Sequence, residues 1–151
     1  MYGEGTVLTM KRYRFLSWLA VLLLLSGIGI TPAAAETSYG VENDFLYELL
    51  EYSGRREVRI VEYIGSENFV VVPSEIDGVP VTELGRGAFE NNSYLDGILL
   101  PETLEIIGDG CFYQCLYLEE ILLPQSIKYI GSLAFYNCRN LSVIKFPGPI
   151  N

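Results

Sequence analysis

A solenoid of stacked coils, strand-rich with short helical or 3-10 turns, is the fold this sequence predicts. Three observations predict it. A 23-residue self-similarity runs through the later part of the chain: "LLPETLEIIGDGCFYQCLYL" from Leu99 is followed by "LLPQSIKYIGSLAFYNCRNL" from Leu122. Seven columns keep that period without a slip, among them Gly85/Gly108/Gly131, Phe89/Phe112/Phe135 and Ile98/Ile121/Ile144. Each unit also has the same internal order: an extended apolar run, a proline, a second extended run, a glycine, then a turn built on a small residue and Phe. One coil is too small to bury its own apolar face, so each copy must serve as the floor of the next.

The elements follow in chain order. Residues 1–35 read as a signal peptide. Lys11, Arg12 and Arg14 precede an apolar run from Phe15 to Ile30, and the small residues Ala33 and Ala35 place cleavage between Ala35 and Glu36. Met10 directly precedes the basic cluster and reads as the true start. The run is shorter than the roughly 20 residues of a membrane-spanning helix. Residues 36–43, "ETSYGVEN", read as a linker, and residues 44–68 as an N-terminal cap over the first coil. In the cap, Phe45, Leu46, Leu49 and Leu50 fall at helical spacing behind an Asn-Asp start and ahead of a glycine, so periodicity alone gives a helix.

Residues 69–151 hold about three coils and a partial fourth. In each, a strand such as "LEEILLP" ends at a proline, which has no N–H for a continuing ladder. A second extended piece such as "SIKYIG" ends at a glycine expected to permit a tight bend. "LAFYNC" is then expected to bury a small residue, a Phe and a Cys in a short helical or 3-10 turn. After Leu141 a fourth strand, "SVIKFP", runs into "GPIN". Ile144 and Phe146 should then face inward with nothing stacked beyond them. Two readings stay open for that end: the chain is a piece of a longer repeat protein, or it self-associates through Ile144 and Phe146.

"LEEILLPQSIKYIGSLAFYNCRNL" resembles the BspA-type leucine-rich repeat, whose unit reads roughly L-x-x-I-x-L-P-x-x-[VLI]-x-x-I-G-x-x-A-F-x-x-C. "LDGILLPETLEIIGDGCFYQCLYL" departs from it with Cys111 in the alanine column. The first copy, "FVVVPSEIDGVPVTELGRGAFENNSYL", carries five extra residues between Pro73 and Gly85 and has Asn92 in the cysteine column. The resemblance covers about residues 44 to 148. It implies a leucine-rich-repeat solenoid with an N-terminal β cap, in which residues 44–52 form a strand paired with "EVRIVEYI". It also implies an exported bacterial protein, secreted or at the cell surface, that binds other proteins and is implicated in adhesion to host or neighbouring cells. The ligand is not named by the resemblance.

The chemistry of the side chains points away from catalysis. With no histidine, Ser-His and Cys-His pairs and the commonest metal ligand are missing. Glu119 and Glu120 are adjacent on a strand, point to opposite faces and cannot flank one bond. No loop gathers enough oxygens for calcium, and Cys111 with Cys115 is too few ligands for zinc. No enzyme activity, cofactor or metal is therefore expected. Cys115 and Cys138 share a column about one strand spacing, about 4.8 Å, apart. A disulfide between them is disfavoured, because stacked side chains run parallel while a bridge wants a dihedral near 90°. All three cysteines are expected to act as small buried hydrophobes.

Loss of residues 1–35 removes three of the ten basic and one of the nineteen acidic residues, leaving seven against eighteen, or −11. Such a chain is repelled by nucleic acid and by anionic membranes. Function then falls to the outward columns: Gly97/Glu120/Val143 and Leu99/Leu122/Lys145 on the first strand of each coil, Thr82/Glu105/Lys128 and Glu83/Ile106/Tyr129 on the second. Leu99 with Leu122, and Ile106 with Tyr129, should form exposed apolar stripes, which often mark partner sites. Leu99, Leu122, Lys145, Glu120, Ile106 and Tyr129 are the candidate contacts for an unknown protein ligand. The alternative is a structural segment of a larger envelope repeat protein.

Overall fold

A computed structural model describes residues 38–146. The expected signal peptide, with its cleavage site at Ala35 and Glu36, lies outside the described residues.

Three antiparallel strands open the fold: β1 (Ser38–Glu42), β2 (Phe45–Tyr52) and β3 (Arg55–Tyr63). Within the linker expected over residues 36–43, residues 38–42 are therefore a strand. Asn43 and Asp44 both take positive φ, 46° and 65°, which is the two-residue hairpin corner that matches strand twist. Ser53 and Gly54 repeat that geometry between β2 and β3 at 51° and 82°. β2 is a strand and not a helix. Its helical spacing arises because both faces carry apolar residues. Phe45, Tyr47 and Leu49 pair with Tyr63, Ile60 and Val58 on the core side, while Leu46 and Leu50 lie on the other face.

The coils follow. The first runs through β4 (Phe69–Val71), β5 (Glu75–Ile76) and β6 (Val79–Leu84), and its five extra residues make the β5–β6 hairpin around Asp77-Gly78. The second uses β7 (Gly97–Leu99) and β8 (Ile106–Ile107), the third β9 (Glu120–Leu122) and β10 (Tyr129–Ile130), and the fourth begins with β11 (Val143–Lys145). Two sheets result. In the first, the order is β1-β2-β3-β6-β8-β10, with β5 beside β6; in the second it is β11-β9-β7-β4. Pairing is parallel between coils. Glu83 sits opposite Ile106 and Ile106 opposite Tyr129; Gly97 sits opposite Glu120 and Glu120 opposite Val143. The sequence period is thus the ladder register.

Among the described residues there is no helix. The expected helical turns are replaced by alternating hydrogen bonds. Ala88, Glu90 and Asn92 donate back to Gly85, Gly87 and Phe89 of their own coil. Gly87, Phe89 and Asn91 donate instead to Asp109, Cys111 and Tyr113 of the next coil, at 2.8–3.1 Å. The pattern recurs one coil on, where Gly110, Phe112 and Gln114 donate to Ser132, Ala134 and Tyr136. Positive φ at Gly87 and Asn91, Gly110 and Gln114, and Leu133 and Asn137 interrupts every run before a helix can propagate.

The column glycines also differ from expectation. Gly85, Gly108 and Gly131 do not take positive φ. They let two coils approach: a Cβ on Gly108 would lie 2.7 Å from Arg86 N and from the Gly85 carbonyl carbon, and one on Gly131 would lie 2.6 Å from the Gly108 carbonyl carbon. The core is one continuous cluster from Phe45 to Ala134. Along it runs an aromatic spine, Phe45–Tyr63–Phe89–Phe112–Phe135, with successive ring centroids 5.2–5.4 Å apart.

Candidate functional site

Strand alternation gives each sheet an inward and an outward set of side chains, and in the second and third coils of the second sheet the outward set reaches solvent while the inward set does not. Ile98 and Ile121 are 4% and 1% exposed, while their neighbours Leu99 and Leu122 are 49% and 50% exposed. Val71 stands opposite Leu99 in the register, and Lys145 opposite Leu122. The second sheet therefore carries a lane Val71–Leu99–Leu122 that stops at Lys145. Lys145 Nζ lies 2.8 Å from Glu120 Oε2 and closes the lane on the β11 side. Beside it, Phe69 is also exposed, and its ring lies over Gly97, where a Cβ would come within 2.7 Å. Phe69 and Val71 were not among the sequence candidates. Their signal was the alignment of "FVVVP" with "GILLP" on Pro73 and Pro101, which puts them in the same outward columns.

The outward face of the first sheet is different in kind. Arg59 bridges Glu83, at 2.8 Å, and Glu48, at 2.9 Å. Arg55 lies 2.6 Å from Glu57, and Lys128 lies 2.7 Å from Glu105. The Lys128 hydrogen bond, against a smaller opposing effect of burial, holds the Glu105 carboxyl below its ordinary range. Tyr129 is exposed and Ile106, opposite it, is half-buried. Thr82, expected to be outward, is buried, because Glu57 of the cap covers it and accepts its hydroxyl proton at 3.1 Å. This face is a self-paired charge network with one apolar pair at its end.

The cysteines are internal. Cys115 Sγ donates to the Phe89 carbonyl and Cys138 Sγ to the Phe112 carbonyl, each at 3.0 Å. Burial pushes the Cys115 thiol up to about 12 and raises those of Cys111 and Cys138. A thiol so placed is a poor nucleophile at neutral pH. The Cys115–Cys138 bridge has no counterpart here: all three cysteines are free.

The last coil ends in exposed apolar groups. Ile144, in the column of Ile98 and Ile121, is 41% exposed, and Phe146 is 55% exposed. Among the described residues, the N–H groups of Leu133, Phe135 and Asn137 have no acceptor, although their counterparts one coil earlier donate to Ser132, Ala134 and Tyr136.

Comparison with known proteins places these features. The BspA type leucine rich repeat region matches residues 61–151, with six copies. No curated protein sequence matches the chain. A leucine rich cell surface protein from Faecalibacterium prausnitzii has a similar structure over 72% of this chain and 32% of its own, at 23% identity and a TM-score of 0.61. A leucine-rich repeat protein from Bacteroides ovatus is similar over 70% of this chain and 28% of its own, at 28% identity and a TM-score of 0.59. One from Bacteroides capillosus is similar over 74% of this chain and 99% of its own, at 20% identity and a TM-score of 0.54. The chain thus spans about a third or less of the first two of these structures.

Proposed function

This chain belongs to the BspA-type leucine-rich-repeat family, and on that premise we propose that it is an exported, non-enzymatic binding module that contacts protein partners at the bacterial cell surface. One observation carries the reading. The lane Val71–Leu99–Leu122 is apolar and open, and it lies outside the core cluster to which the alternate residues Val70, Ile98 and Ile121 belong. Contiguous exposed apolar surface outside the core is the kind that partners cover. Export is supported by the basic cluster, apolar run and Ala-rich exit of residues 1–35. The Faecalibacterium protein of similar fold is described as a cell surface protein.

Beads coated with the chain should adhere to bacterial or epithelial cells, and beads coated with Leu122→Asp should not, while the melting curve of the variant stays unchanged. Adhesion that survives the substitution overturns the use of this face. In an expressing bacterium the mature chain should be found in the envelope or medium and begin at Glu36; retention in the cytoplasm at full length overturns export.

A second reading rests on the last coil. Ile144, Phe146 and the N–H groups of Leu133, Phe135 and Asn137, which have no acceptor among the described residues, form an end suited to joining further coils in a larger envelope assembly. Light scattering of residues 36–151 across a concentration series tests it. Growth in mass with concentration supports a joining end, and a strict monomer at all concentrations contradicts it.

A further inference from the structure

The partner's chemistry can be read one step further, on the premise that the outer face of the second sheet is the binding face. We propose that this face takes a cationic protein segment, with apolar side chains on the lane Val71–Leu99–Leu122 and Lys or Arg side chains over the carboxylates that border it.

Charge is divided unevenly between the two faces. On the first sheet Arg55, Arg59 and Lys128 are already held by Glu57, Glu48, Glu83 and Glu105 of that same face. On the second sheet the one strand-borne cation, Lys145, is held by Glu120. Asp96 and Glu119 stand just before β7 and β9, so the strand alternation expected for Glu119 and Glu120 does not apply and both glutamates are exposed; Glu119 N donates to the Asp96 carbonyl at 3.2 Å. Asp96 is exposed as well, and among the described residues neither Asp96 nor Glu119 has a cation within bridging distance. The partner of Asp96 is the neutral amide of Asn68, at 2.7 Å, so its charge is left uncompensated.

An apolar floor with a negative border selects by sign. It repels acidic proteins, nucleic acid and anionic membrane, and it draws in a basic segment whose encounter is steered by the border and whose residence depends on the floor. Leu99 lies three positions after Asp96 and Leu122 three positions after Glu119, at most roughly 10 Å along extended chain. A lysine or arginine stem lying on the sheet spans that gap while its neighbours pack on the lane.

The probe is a ten-residue peptide of alternating Leu and Lys, compared with its Leu-Glu counterpart, titrated against the chain at low and high salt. The Leu-Lys peptide should bind, the Leu-Glu peptide should not, and salt should weaken the complex. Leu122→Ser, which removes the floor without adding charge, and the pair Asp96→Asn with Glu119→Gln should each weaken binding about tenfold. The pair Glu51→Gln with Glu62→Gln, which removes as much charge elsewhere, should leave it unchanged. If only Leu122→Ser matters, the cationic preference is overturned and the binding face stands. If neither variant matters, or the Glu51/Glu62 pair weakens binding equally, the peptide follows net charge alone and both the preference and the face are overturned. Equal binding of the Leu-Glu peptide, or no binding of either peptide, overturns the cationic preference.

Discussion

Phe112→Ala is expected to destabilise the protein by about 3–5 kcal/mol, the usual cost of emptying a large aromatic site in a core. Phe112 is fully buried and stacks on Phe89 at 5.2 Å and on Phe135 at 5.4 Å, so the substitution removes a partner from both neighbours at once. In a solenoid the coupling between adjacent coils carries the stability, because no coil stands alone. The transition should therefore broaden or split, with the third and fourth coils melting before the cap. Phe135→Ala should cost about half as much by the same area argument, since Phe135 is only half-buried and has a ring on one side. Chemical denaturation followed by tyrosine fluorescence and by far-ultraviolet circular dichroism measures both. Equal costs at the two positions would count against nearest-neighbour coupling along the spine.

Gly108→Ala is expected to cost about 3 kcal/mol, the upper end for adding one carbon to a closed interior, or on the order of 12 °C in melting temperature. The added Cβ meets backbone atoms, Arg86 N and the Gly85 carbonyl carbon, which have no rotamer to retreat to. The coils must part locally, and that strains the bonds from Gly108 N to the Leu84 carbonyl and from Glu105 N to the Thr82 carbonyl, at 2.7 and 2.8 Å. Alanine at Gly110, whose φ is +59° and whose Cβ would touch only Tyr113 at 3.7 Å, should cost about 1 kcal/mol, the cost of a left-handed conformation. The contrast separates close approach from backbone freedom. A larger loss at Gly110 than at Gly108 would mean that the bend, and not the approach of coils, is what the column requires.

The repeat was legible in the sequence because period and register are the same quantity. Once Gly97, Glu120 and Val143 fall in one column, the parallel pairing of β7, β9 and β11 follows. The inward and outward sets followed as well, since Ile121 and Leu122 differ only in which face of a strand they occupy. What was not legible depended on contacts between segments. Asn43-Asp44 looks like a helix start because the same side chains serve as helix caps and as residues of positive φ, which hides the β1–β2 hairpin in the sequence. The turns at Phe89 and Phe112 look helical because half of their N–H groups do bond locally; the other half find their acceptors 22 residues away. Thr82 is covered by Glu57, which is distant in sequence and belongs to the cap.

The inward residues of the second sheet belong to the core that holds the coils together, and its outward residues Leu99 and Leu122 lie outside that core. Ile121 and Leu122 test this division most directly, because they are adjacent in sequence and differ in face. Melting curves of Ile121→Asp and Leu122→Asp should diverge. Ile121→Asp is expected to fail to fold, since it buries an unpaired carboxylate, and Leu122→Asp to melt with the parent chain. Loss of folding in both variants would contradict this division, because Leu122 would then belong to the core and the second sheet would offer no free face.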